Sequence, residues 1–140
     1  MTARSKARKQ ALDILFESDI RQTSATDLLE SPLIVEEGPD ARPIRDFARV
    51  IVSGVTEHRR KIDELISTYA QGWDMDRLPI VDRNLLRIAI FEILWSEDVP
   101  DAVAIDEALT MAAILSTEES ASYIHGVLSR IASIKGDLSR

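Results

Sequence analysis

The chain has 140 residues, of which 17 are Lys or Arg and 24 are Asp or Glu, so its formal net charge is −7. This length suits one domain of ordinary size, and the absence of cysteine excludes disulfides, thiolate metal sites and cysteine nucleophiles. No apolar run approaches the length of a membrane span, and the basic start lacks the apolar stretch of a signal peptide. We therefore expect a soluble, cytoplasmic protein with no contact to a membrane.

The positive charge is concentrated at the start of the chain. The first twelve residues carry four basic side chains and no acidic one, so the remaining 128 residues have a net charge of −11. Over about 4–22, the apolar residues Ala7, Ala11 and Leu15 recur every four positions, which predicts an amphipathic helix. We therefore expect a helix with basic first turns on an otherwise acidic body.

The next part of the chain contains the main interruption. After a short helix around Asp27–Glu30, several prolines and a glycine predict a loop over about 31–43. Residues 43–71 again have apolar side chains at helical spacing and predict one long helix. Gly54 and the polar stretch 56–61 could bend this helix or divide it into two.

The last part of the chain predicts three consecutive helices over about 79–134. The first opens at Pro79 and is apolar nearly all round, so we expect it to be the central and most buried helix. The second covers about 102–115, and the third follows residues 116–119, which fit a capping box. The tail at 136–140 should fray.

These elements predict an all-α fold, a compact bundle of six or seven helices that forms a single domain over residues 1–140. No stretch alternates apolar and polar residues for long enough to require a strand. Catalytic motifs are also lacking, and the two histidines, His58 and His125, stand far apart without a nearby ligand type. We expect no enzyme activity, no cofactor and no metal.

The basic start suggests contact with a phosphate backbone. Its positive side chains are Arg4, Lys6, Arg8 and Lys9, and Gln10 adds an amide that can donate and accept hydrogen bonds. Their close spacing on one helix predicts that most of them are exposed. A solvated helix start that only aids solubility is the alternative.

Two aromatic residues could stack on unpaired bases. Phe16 and Tyr123 are the candidates, although an aromatic residue at helical spacing is more often part of the core. We assign Trp73 and Trp95 to packing.

Four segments together resemble a known family. They are A-R-S-K-A-R-K-Q-A-L at the basic start, L-P-I-V-D-R-N-L-L-R-I-A-I-F-E-I-L in the central helix, V-P-D-A-V-A-I-D-E-A after it, and S-Y-I-H-G-V-L near the end. In order and spacing they resemble the NusB transcription antitermination family, from about Ala3 to Ile131.

The resemblance implies a fold and a function. The family has an all-helical fold of two small bundles, and its members pair with the small-subunit ribosomal protein NusE. The pair binds the boxA element of nascent, single-stranded RNA and joins other Nus factors on RNA polymerase, which suppresses premature termination in ribosomal RNA operons. These are the partners that the resemblance implies for this chain.

The resemblance also assigns roles to residues of the first helix. Arg4, Lys6 and Arg8 match the arginine-rich RNA-binding motif of the family. Ser5 stands where another arginine is often found, so the basic patch is thinner here. Phe16 occupies a position where an aromatic residue near the RNA is usual.

Further roles fall in the second half of the chain. Tyr123 matches the aromatic residue of the family's F-V-N-G-V-L and is the best stacking candidate, whereas His125 replaces the asparagine of that motif. Asp82 and Arg83 match an acidic–basic pair near the side that faces NusE, so the resemblance implies that they contact this partner.

One alternative stays open at this point. A helical homodimer or scaffold protein could bury the basic face against itself and bind no RNA directly. RNA cytosine methyltransferases that begin with a NusB-like domain are a weaker alternative, because this sequence has no cysteine to act as their nucleophile.

Overall fold

The computed structural model describes residues 2–31, 43–70 and 72–138, and within these ranges the chain forms seven α-helices and no β-strand. The helices are α1 Ala3–Arg21, α2 Ala25–Leu28, α3 Asp46–Glu57, α4 Arg59–Tyr69, α5 Ile80–Trp95, α6 Asp101–Leu115 and α7 Glu118–Ile134. The prediction of an all-α fold with six or seven helices is confirmed. None of the helices in the described residues is long and apolar enough to cross a membrane.

The chain divides into two compact units. The N-terminal unit covers Met1–Glu57 and contains α1, α2 and α3, whereas the C-terminal unit covers His58–Arg140 and contains the other four helices. In the N-terminal unit, α1 packs against α3, and α2 contacts both of them. The two units agree with the two small bundles that the family resemblance implies.

In the N-terminal unit, α1 begins and ends with defined caps. Thr2 precedes the helix, and its Oγ1 accepts a hydrogen bond from the backbone N–H of Ser5 at 3.0 Å. At the other end Gln22 takes a left-handed conformation, with φ +52°, and its N–H bonds to the carbonyl of Ser18. The predicted apolar stripe of α1 lies in the core of this unit.

The prediction of one long helix over 43–71 is wrong, because the segment forms two. His58 leaves the helical conformation, with φ −103° and ψ 15°, and α4 starts anew at Arg59. The His58 ring instead stacks on Trp95, with 3.9 Å between the ring centroids and 8° between the planes. A tertiary contact within the C-terminal unit therefore accompanies the break.

The C-terminal unit is built around α5, which contacts α4, α6 and α7. Twelve of its sixteen residues are buried, so the prediction of a central helix is confirmed. The N-cap of α7 is Thr117, whose Oγ1 accepts from the N–H of Ser120 at 3.0 Å, one position later than the predicted capping box.

Two predicted irregular segments have different outcomes. Residues 32–42, which make up nearly all of the predicted loop at 31–43, lie outside the described residues. At the C-terminus, where the sequence predicts fraying from Gly136 onward, Lys135–Asp137 form a turn of 3₁₀-helix, and the Leu138 N–H bonds to the Lys135 carbonyl at 3.2 Å. Residues 139–140 are not described.

A buried ion pair joins two helices of the C-terminal unit. The Arg87 guanidinium on α5 bonds both carboxylate oxygens of Asp63 on α4, at 2.8 and 3.1 Å, and its side chain is only 4% exposed. It also donates to the Asn84 side-chain oxygen at 2.9 Å. Such a pair fixes α4 against α5, since the buried charge of Arg87 depends on the partly exposed Asp63.

Candidate nucleic-acid interface

The basic residues of α1 differ in how far they reach solvent. Arg4 and Lys6 are exposed, whereas Arg8 is only 2% exposed. The prediction that these side chains reach solvent therefore holds for Arg4 and Lys6 and is wrong for Arg8. With so little exposed surface, Arg8 is poorly placed to pair with a phosphate in this conformation.

Phe47 on α3 accounts for the position of two of these arginines. The Arg4 Cζ lies 4.4 Å from the centroid of the Phe47 ring, and the Arg8 Cζ lies 5.4 Å from it. Both distances fall within the range of a cation–π interaction. Arg4 and Arg8 are four residues apart on α1, so one ring can meet both of them, and the contact joins α1 to α3.

Lys9 and Gln10 also make contacts within the protein. The Lys9 Nζ pairs with the Asp13 carboxylate at 2.7 Å, but both side chains are largely exposed, so the pair is weak and easily exchanged for another partner. The Gln10 amide is used at both ends: it donates to the Pro43 carbonyl at 3.2 Å and accepts from the Arg45 N–H at 3.0 Å. Gln10 thus holds the segment before α3, and these two bonds occupy one N–H and one lone pair of its amide.

Two further positions of α1 were singled out from the sequence. Ser5, where the family often has arginine, is buried and its hydroxyl lies 2.8 Å from the Thr2 Oγ1, so it belongs to the N-cap of the helix. Phe16 is half-buried. It retains part of its ring surface for a contact outside the unit.

Tyr123 on α7 is the centre of a cluster in the C-terminal unit. Its ring stacks on Trp73, with centroids 5.6 Å apart and planes inclined by 16°. Its hydroxyl donates to the Asp82 carboxylate, Oδ2, at 3.1 Å. Burial, followed by the negative charge of Asp82 and the hydrogen bond to it, raises the pKa of Tyr123 well above its ordinary value. The hydroxyl therefore keeps its proton and acts as a donor.

An open cavity of about 240 Å³ lies beside this ring. Its lining is aromatic and apolar, and consists of Tyr69, Ala70, Trp73, Tyr123, Gly126 and Val127. A Cβ added at Gly126 would meet nothing within 4 Å, so the helix is open there. The volume lies below the roughly 300–1,000 Å³ of pockets for drug-sized ligands, and it suits a single flat ring.

Trp73 packs against the Tyr123 ring, as its assignment to packing predicts, but it also reaches solvent. It is 39% exposed and forms a wall of the cavity, so it offers ring surface to a ligand. Trp95, in contrast, packs against His58 as a structural residue.

The acidic–basic pair at the start of α5 lies mostly inside the C-terminal unit. Asp82 is fully buried, at 0% exposed, and accepts from the Ser120 hydroxyl at 2.6 Å as well as from Tyr123. Its carboxylate cannot touch a partner protein, so the implied direct contact does not fit this conformation. Arg83 is half-buried and donates to the Met75 carbonyl at 3.3 Å.

The candidate residues thus form two clusters, one on each unit. The N-terminal unit brings Arg4 and Arg8 together over Phe47, and the C-terminal unit brings Tyr123 together with Asp82 and Trp73. In the part of the chain that the structure describes, no three His, Cys, Asp or Glu side chains are grouped so that they could hold a metal ion.

Phe47 and Trp73 could not be identified as members of these clusters from the sequence. Each meets its partner from a different helix or from a connection between helices, and helical spacing predicts which residues share a face but not which residues meet across helices. The exposed fraction of Trp73 could not be read from its residue type either.

Comparison with known proteins extends over almost the whole chain. The NusB family model matches residues 5–133. A protein named "Transcription antitermination protein NusB" from Nocardioides sp. is 47% identical over 139 residues, which cover 99% of this chain and 100% of that protein.

Solved structures have the same fold. The structure of T. maritima NusB has a TM-score of 0.82 and 36% identity, and the match covers 98% of this chain and 99% of that one. A chain in a crystal structure of antitermination factors NusB and NusE in complex with dsRNA matches with a TM-score of 0.78, and the match covers 93% of this chain and 96% of that one. Because the two sequences are only 24% identical, this likeness concerns the fold alone. From the family match and the full-length identity we conclude that the chain belongs to the NusB family.

Proposed function

We propose that this protein is a transcription antitermination factor that binds the boxA element of nascent RNA together with the ribosomal protein NusE. The observation that carries the proposal is the 47% identity, over 139 residues, to a relative named for transcription antitermination. The protein would act by binding rather than by catalysis. It would work in the cytoplasm, where NusE links it to RNA polymerase and to other Nus factors during transcription of ribosomal RNA operons.

The exposed basic residues of α1 support RNA binding. Arg4 and Lys6 are exposed, and Lys9 can exchange its exposed partner Asp13 for a phosphate at little cost. Three phosphate contacts on single-stranded RNA correspond to a salt dependence with a slope of about −2 in a plot of log K against log salt. We leave Arg8 and Gln10 out of this set, because the first is buried and the second bonds to the protein at both ends.

The aromatic cavity of the C-terminal unit supports base stacking by Tyr123. Its lining includes the rings of Tyr69, Trp73 and Tyr123 and no charged side chain. Because every base has a flat apolar face, such a cavity accepts an unpaired base with little sequence preference. The half-buried Phe16 on α1 is a further candidate for contact with the RNA.

The net charge supports the need for a basic partner. At −7 the chain repels phosphate at most of its surface, and three basic side chains offset this only locally, within a Debye length of about 10 Å at 0.1 M salt. A basic ribosomal protein would be attracted to the acidic surface and would extend the positive surface for RNA. Arg83 remains a candidate for contact with this partner, whereas the buried Asp82 does not.

The test is binding of a fluorescently labelled single strand that contains boxA, measured by anisotropy with and without NusE. We expect tighter binding in the presence of NusE, and weaker binding of a strand with the same composition in scrambled order. Sedimentation over a concentration series, run in parallel, reports the oligomeric state. A homodimer that binds neither RNA nor NusE would overturn the proposal in favour of a scaffold protein.

A further inference from the structure

The buried carboxylate of Asp82 is tied to the ring that we propose for base stacking. Asp82 lies in the first turn of α5 and is 0% exposed. Its Oδ2 accepts from the Ser120 Oγ at 2.6 Å and from the Tyr123 hydroxyl at 3.1 Å, so both donors belong to α7. One carboxylate oxygen therefore joins α5 to the first two turns of α7.

The second oxygen of this carboxylate makes the arrangement costly. The Oδ1 of Asp82 is buried and accepts no hydrogen bond from any described residue. A buried acceptor without a partner is unfavourable, and native structures contain few of them. An apolar residue or an asparagine at this position would avoid burying a full charge, so packing alone does not account for a carboxylate here.

The hydrogen bond to Tyr123 constrains where the ring lies. A bond to an ionised acceptor is roughly twice as strong as one between neutral groups, and it fixes the far end of the tyrosine side chain. With its hydroxyl held, the ring is kept in its stack against Trp73, beside the open helix surface at Gly126. A phenylalanine would have the same ring but no such anchor.

We propose that Asp82 is a positioning residue that holds the Tyr123 ring, through its hydroxyl, in the orientation that receives an unpaired base. This proposal rests on the proposed function, because it gives a purpose to the stacking role of Tyr123. Asp82 itself touches neither RNA nor a partner protein. Preorganisation of the ring spares the loss of side-chain freedom that binding would otherwise require.

The test compares three single variants and one double variant. Asp82→Asn weakens the anchor, because a neutral amide oxygen is a poorer acceptor than a carboxylate, and Tyr123→Phe removes the anchor; both changes preserve side-chain size. Ser120→Ala is the matched control, because it removes the other donor to the same oxygen without touching the ring. We expect the two anchor variants each to bind the boxA strand, with NusE present, about threefold more weakly, and Ser120→Ala to change affinity less than twofold. The double variant, Asp82→Asn with Tyr123→Phe, should also lose only about threefold, because both changes act on the same hydrogen bond.

A spectroscopic measurement reports the ring directly. In a Trp95→Phe background Trp73 is the only tryptophan, so its fluorescence and near-ultraviolet circular dichroism report the stack with Tyr123. Both signals should change in the two anchor variants and stay close to the parent in Ser120→Ala. Urea unfolding measures the stability of every variant, and Tyr123→Phe keeps the test valid if Asp82→Asn does not fold.

The outcomes separate this proposal from the proposed function. RNA affinity that is unchanged in Asp82→Asn and Tyr123→Phe, but reduced in Tyr123→Ala, would overturn the positioning role and leave the stacking role intact. Losses that multiply to about ninefold in the double variant would show two independent effects and would also overturn it. If Tyr123→Ala binds RNA as the parent does, the stacking role itself fails.

Discussion

Replacing Arg8 with alanine removes a cation that lies 5.4 Å from the centroid of the Phe47 ring and is 2% exposed. A desolvated cation–π contact is worth about 2 kcal/mol, and the two buried methylenes that alanine lacks contribute about 1.6 kcal/mol. Alanine is the slightly better helix former, which offsets a small part of this loss. We therefore expect Arg8→Ala to lower the free energy of unfolding by about 3 kcal/mol, measured by urea denaturation.

Lys6→Ala is the matched control, because it removes the same charge from an exposed position of the same helix. Its effect on the free energy of unfolding should stay within about 0.5 kcal/mol. If Lys6 contacts a phosphate, however, the slope of log K against log salt should flatten by about 0.7. Anisotropy of labelled single-stranded RNA over a salt series measures that slope.

A double-mutant cycle isolates the contact between the two side chains. Arg8→Ala and Phe47→Leu, combined, should show a coupling energy of about 2 kcal/mol, because either change alone already removes the cation–π contact. If Arg8→Ala is as stable as Lys6→Ala and flattens the salt slope equally, then Arg8 leaves the ring and reaches RNA. The assignment of Arg8 as a structural residue would then be refuted.

Three further predictions concern the C-terminal unit. Asp63→Ala should lower the free energy of unfolding, measured by urea denaturation, by about 3 kcal/mol, since it leaves the buried Arg87 with an incomplete set of partners. An unchanged free energy of unfolding would show that other groups are sufficient to pair with Arg87. Gly126→Leu should raise the free energy of unfolding by up to about 1 kcal/mol, because the site is open and leucine is the better helix former. The same change should weaken RNA binding by about tenfold, because the leucine side chain fills the cavity, whereas Gly126→Ala should affect binding little. Equal RNA affinity for both variants would show that the cavity is not part of the RNA-binding site. Because the pKa of Tyr123 is raised in the native protein, the unfolded chain loses this proton near pH 10 while the native protein keeps it. The free energy of unfolding, measured by urea denaturation, should therefore fall above about pH 10, by up to about 1.4 kcal/mol per pH unit more in the parent than in Tyr123→Phe. Parallel curves for the two proteins would contradict this prediction.

Most of the helices could be predicted from the sequence, because their apolar residues follow the helical period. Ala7, Ala11 and Leu15 all lie in the core, as their spacing indicates. The polar stretch 56–61 allowed a division of the predicted long helix, but the apolar spacing continues across His58 and did not require one. His58 stacks on Trp95, and spacing along one segment contains no information about a distant ring.

The candidate site was less predictable than the fold. Residue type identified the basic side chains of α1, but it did not distinguish the exposed Lys6 from the buried Arg8. Arg8 lies four residues before the buried Leu12 and so shares its helix face, a placement that the basic residue type obscured. Asp82 shows the same limit. An aspartate in the first turn of a helix is usually solvated, and only the packing of α7 against α5 buries it beneath Ser120.

The burial of α5 on nearly every side has a consequence for how the C-terminal unit exchanges its amide hydrogens. An amide in a helix that packs against three others exchanges with solvent only when those helices separate, so the slowest amides of this unit should be those of α5. Amides in the terminal 3₁₀ turn at Lys135–Asp137 should exchange far faster, through local opening. The slowest rates on α5 would then report the global stability of the unit, independently of any ligand at its surface.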